Sequence, residues 1–63
     1  MLLTFTEASS KESIAINPTA VNAVFIAPQG DMKGKTVIAI GTQPIVVEES
    51  YLDVVGTLNG ALA

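Results

Sequence analysis

The sequence predicts an all-β domain of five short strands followed by one short C-terminal helix. Three observations lead there. Apolar and polar residues alternate with period two at Leu3–Thr6 and Ser13–Ile16, the pattern of a strand with one buried face. Apolar, β-branched runs bounded by Pro and Gly follow at Ala23–Ala27 and Lys35–Gly41. Near the end, Ser50 stands three residues before Asp53, ahead of apolar residues at helical spacing, which marks a helix start.

Taken in order, Leu3 and Phe5 share one face of the first strand, with Thr4 and Thr6 on the other. The polar segment Glu7–Glu12 is a loop. Ile14 and Ile16 share a face of the second strand, which Asn17–Pro18 breaks. Asn is a good cap and Pro suits the first helical position, so a single helical turn or tight bend is expected. The third strand, Ala23–Ala27, is apolar on both faces, with Val24 and Ile26 on one and Phe25 on the other. That calls for burial on both sides or for an interface. Pro28–Gly34 is dense in turn formers and closes a hairpin onto the fourth strand, Lys35–Gly41, again apolar on both faces. Thr42–Pro44 is expected as a short turn before the fifth strand, Ile45–Glu48. In the helix, Tyr51, Leu58 and one of Val54 or Val55 should face the sheet, and Asn59–Gly60 should end it.

The 63 residues make room for one domain, spanning 1–63. A chain this short is marginal alone, and small domains usually add disulfides, a metal or a partner subunit. There is no Cys and no His, which removes disulfides and the common zinc sites. Apolar residues make up 49% and charged residues 14% of the chain, against about 25% charged in an ordinary domain. Too few charges remain to cover so small a body, so a homo-oligomer is expected, with part of the surface as interface. The apolar stretches are far shorter than the roughly 20 residues of a membrane span. The N-terminus has no basic start followed by a long apolar run. The expectation is therefore a cytoplasmic protein with no membrane partner.

Motifs that carry chemistry are scarce. Gly34-Lys35-Thr36 looks like the end of a phosphate-binding loop, but Gln29 occupies the place of its first glycine, and the β-branched run after it reads as strand. Glu48, Glu49 and Asp53 form an acidic group that offers few oxygens for a hard cation. Acids at a helix start are better explained by its dipole. No metal site and no cofactor is expected. Ser9, Ser10, Ser13 and Ser50 have no His to activate them, and no paired carboxylates share an evident pocket, so no enzyme is expected. Phe5 and Phe25 sit within apolar alternation and read as core or interface. A net charge of −3, with three Lys and no Arg, argues against a strong grip on phosphates.

Five short strands in so few residues resemble the Sm-like fold, a small, strongly bent, five-stranded open barrel. Ile40-Gly41-Thr42-Gln43-Pro44-Ile45 lies where that family carries an Ile-Arg-Gly-type stretch, here without the arginine. The resemblance implies subunits paired edge to edge in a closed ring that binds single-stranded RNA at its pore, as an RNA-binding or RNA-chaperone-like scaffold. It nominates Asn17, Asn22, Thr42 and Gln43 as base-contacting residues, with Lys33 and Lys35 as the nearby cations. The low charge is similar to that of small marine-phage proteins, among which diverged Sm-like members fit. A second resemblance is to the small FlbD-type proteins of flagellar operons. It rests on Ile14-Ala15-Ile16-Asn17 at the end of a strand and on Val46-Val47-Glu48-Glu49-Ser50 leading into a helix. It implies regulation without an active site. The alternative to an RNA scaffold, favoured by the acidic pI and the absence of Arg, is a regulatory or structural protein–protein interaction module without nucleic-acid binding.

Overall fold

A computed structural model describes residues 1–62. Among the described residues five strands are present: β1 (Leu3–Thr6), β2 (Ser13–Ile16), β3 (Val21–Ile26), β4 (Thr36–Ile40) and β5 (Gln43–Val47). A single 3-10 turn, Pro18–Ala20, separates β2 from β3, and helix α1 (Tyr51–Leu62) is the last described element.

The strands do not form a five-stranded barrel, and the expectation of an all-β, strongly bent open barrel is corrected. β1 and β2 make a two-stranded antiparallel sheet, and β3, β4 and β5 make a three-stranded one in that order. Neither sheet closes. The cause lies at Asn17–Pro18. Asn17 Oδ1 accepts from the Thr19 N–H at 3.1 Å and from Thr19 Oγ1 at 2.8 Å. Proline supplies the fixed φ of the first turn. The cap and turn expected there carry the chain away from β2, so β3 starts a new sheet instead of extending the old one.

The two sheets meet at one seam. Glu7 bridges Val47. Ala8 N–H donates to the Val46 carbonyl, and Glu48 N–H donates to the Thr6 carbonyl. The Thr6 N–H completes the seam by donating to both carboxylate oxygens of Glu49, at 3.0 and 3.1 Å. A side chain thus stands in for the next rung of the ladder.

Several element bounds differ from expectation. β3 begins at Val21, and a bulge between Val21 and Ala23 absorbs Asn22. Such a bulge leaves one residue unpaired and is not visible in apolar periodicity. β5 begins at Gln43, which pairs with Ile40 across a two-residue turn. Gly41 takes φ 61° there, a value that favours glycine at the first turn position. Helix α1 does not stop at Asn59–Gly60 but runs to Leu62, and Gly60 is not left-handed. Ser50 caps it as expected, its Oγ accepting from the Asp53 N–H at 3.2 Å.

The core lies between α1 and one face of the strands. Phe5, Ile16, Ile38, Val47, Val54 and Leu58 are buried together, with Leu3, Ile14, Val21, Val24, Ile40 and Ile45 packed around them. Val54 and Leu58 are four apart, one helical face. Tyr51, at the first helical position, does not join them and is 38% exposed. Among the described residues no helix is long and apolar enough to cross a membrane.

Candidate functional site

The register defines a second face of the three-stranded sheet. Phe25, Val37 and Val46 lie side by side on it, and Ala23, Ala39 and Pro44 form the next row. Side chains alternate between faces, so this face points away from Ile38 and the helix. All six residues are apolar; Ala23, Phe25 and Pro44 are exposed, Ala39 and Val46 are half-buried, and Val37 is buried. Val37 is 5% exposed at the centre of this face, while Phe25 at its edge is 44% exposed. Ile26, at the end of β3, is 51% exposed.

Charges border the face at one end. Glu48 accepts from Lys11 Nζ at 2.8 Å and from Lys35 Nζ at 3.0 Å through each of its oxygens. The hydrogen bond from Lys11, then that from Lys35, holds the Glu48 carboxyl below its ordinary value. Lys11 adopts φ 62° in the β1–β2 loop, and that turn presents its side chain to Glu48. Glu49 is engaged with Thr6 across the seam. Asp53 lies in the first turn of α1, where its charge complements the helix dipole. The acidic group of the sequence therefore divides among three separate tasks. Among the described residues no cluster of three or more metal-ligating side chains occurs, and no cavity opens.

The nominated RNA-contacting residues fall at two ends of the sheet. Asn22, exposed in the bulge, donates from Nδ2 to the Gly41 carbonyl at 3.1 Å. That bond brings Asn22 beside Thr42 and Gln43, both exposed. Asn17 caps the 3-10 turn that leads into β3. Lys33 and Lys35 lie in and after the β3–β4 loop, at the opposite end of β4. From Lys35 to Gly41 the strand spans roughly 20 Å. Lys35 is also committed to Glu48, which leaves Lys33 as the lysine without a carboxylate partner among the described residues.

Sequence reasoning found the two-faced apolar strands but not the face they build together. The signal was present in Ala23–Ala27 and Lys35–Gly41, and the missing information was the register. The Glu49–Thr6 seam had no signal, since it joins positions 43 residues apart. No family model, curated protein or solved structure matches the chain.

Proposed function

We propose that this chain is a regulatory or structural protein–protein interaction module that acts as a homo-oligomer, without a catalytic or nucleic-acid-binding role. The observation that carries the reading is the apolar sheet face of Ala23, Phe25, Val37, Ala39, Pro44 and Val46, on which Ala23, Phe25 and Pro44 are exposed. A soluble domain seldom leaves a contiguous apolar face uncovered unless something binds it. Two of its three lysines are spent on one internal glutamate, so little positive charge is free to hold phosphates. The order of elements also accords with the FlbD-type resemblance: a strand ending at Ile16 just before Asn17, and Val46-Val47-Glu48-Glu49-Ser50 running into α1. A closed ring is not part of this reading, because it was implied by the barrel. A cytoplasmic setting is part of it and suits a chain with no Cys.

Gel filtration with light scattering at micromolar and higher concentrations tests the reading, together with fluorescence anisotropy on short uridine- and adenine-rich RNA. Self-association with no saturable RNA signal is expected. A monomer that binds RNA at low salt would reverse it and return attention to Asn17, Asn22, Thr42, Gln43 and Lys33.

A further inference from the structure

We propose that a second copy of this chain pairs antiparallel along the outer edge of β3, joining two three-stranded sheets into one of six strands. This rests on the self-association just argued and adds a second contact to it, the strand edge that borders the apolar face. β3 is the longest strand and stands at an edge of its sheet. Among the described residues, no backbone hydrogen bond from another element reaches Asn22–Ile26 on that side. The other edge of the same sheet is blunted. Thr6 and Ala8 occupy Glu48 and Val46 along β5, and Pro44 has no N–H to offer.

Natural proteins protect open edges with charges, proline or bulges. No charged residue occurs from Ser13 to Gly30, so β3 has no charge to repel an approaching strand. Its bulge lies at the Val21–Ala23 end and leaves Ala23–Ile26 regular. The whole chain carries −3, and two copies repel except where they meet on uncharged surface. β3 is such a surface.

The side chains select a register. Directly opposed residues of an antiparallel pair share a face. A two-fold axis at Phe25 sets Phe25 against Phe25 of the second copy, on the open face. It sets Val24 against Ile26 of the second copy, on the other face, and Ala23 against Ala27. Phe25 and Ile26, the two large exposed apolar side chains of β3, are then covered. An axis at Val24 would instead set Ile26 against Asn22, whose amide is already spent on Gly41. A standard interface takes about 800 Å² from each partner, about a fifth of the 4008 Å² this chain exposes. A five-residue edge is only about 17 Å long. The pairing belongs with small interfaces that dissociate on dilution.

The chain has no Cys, so Phe25→Cys introduces a single thiol. Opposed Cα atoms in such a ladder stand about 4.5–5.5 Å apart, within disulfide range. Under mild oxidation Phe25→Cys should form a disulfide dimer quickly, and Leu52→Cys, at an 80% exposed helix position, should do so at least about tenfold more slowly. Ile26→Lys should weaken self-association about tenfold or more, because it sets ammonium groups in an apolar seam, while circular dichroism stays unchanged. If the wild type self-associates but Phe25→Cys oxidises no faster than Leu52→Cys, or Ile26→Lys associates normally, the β3 edge is overturned and the interaction reading stands. A wild type that stays monomeric at millimolar concentration overturns both.

Discussion

Helix α1 is held to the strands chiefly by two side chains, Val54 and Leu58. Leu58→Ala measures that attachment. Leu58 is 6% exposed and belongs to the central cluster with Phe5, Ile16, Ile38, Val47 and Val54. Truncating a buried leucine costs about 2–5 kcal/mol, with the larger values where the site cannot collapse. Ile38 and Val47 are fixed by ladders on both sides, so collapse is limited and about 3 kcal/mol is expected. A domain of this length holds only about 3–9 kcal/mol in total. At about 4–8 °C per kcal/mol for a small domain, Tm should fall by roughly 12–24 °C. Leu52→Ala, on the exposed side of the same helix, should stay within about 0.5 kcal/mol. Thermal melts by circular dichroism at equal protein concentration compare them, since self-association moves Tm. If the two variants melt together, α1 is not docked through this face and the core described above is wrong.

Ser50→Ala should cost about 1 kcal/mol, the usual loss for an N-cap, read from urea denaturation; an unchanged midpoint would place the helix start elsewhere. Glu49→Ala leaves the Thr6 N–H at the seam without its carboxylate. A loss of about 1 kcal/mol is expected for this partly exposed, charge-assisted bond, whereas Glu49→Asp should fail to restore it through its shorter reach. Glu48 is held below its ordinary value of 4.5 by Lys11 and Lys35. A depressed carboxyl stabilises the fold above its unfolded value, and that contribution disappears as pH falls through the folded value. The Tm difference between wild type and Glu48→Gln should therefore be present at neutral pH and vanish well below pH 4.5; a difference that persists in acid would mean the ion cluster is not its source.

Local chemistry was legible where one short segment determines the outcome. The cap at Asn17, the cap at Ser50 and the alternation of β1 and β2 all act within a few residues. β4 and β3 were recognisable as strands apolar on both faces. What the sequence did not reveal was pairing. Five strands are compatible with one bent sheet or with two small ones, and the choice depends on where Pro18 sends the chain and on a single bridge between Glu7 and Val47. The same limit applies to the site. Thr42, Gln43 and Asn22 were nominated together and lie together, because the turn at Gly41 and the bond from Asn22 are local to that end. Lys35 was nominated with them from sequence nearness to the hairpin, yet the direction of β4 carries it to the far end and into the hold of Glu48.

In the proposed assembly a second copy completes the β3 edge. Amide hydrogen exchange followed by NMR at increasing protein concentration tests it most directly, because an edge amide is open in a monomer and sealed in a paired sheet. If a second copy pairs along β3, outward amides within Ala23–Ala27 become protected as concentration rises, while those of β2, the edge of the other sheet, do not. Protection in β3 that is independent of concentration, or that rises in β2 instead, would contradict it.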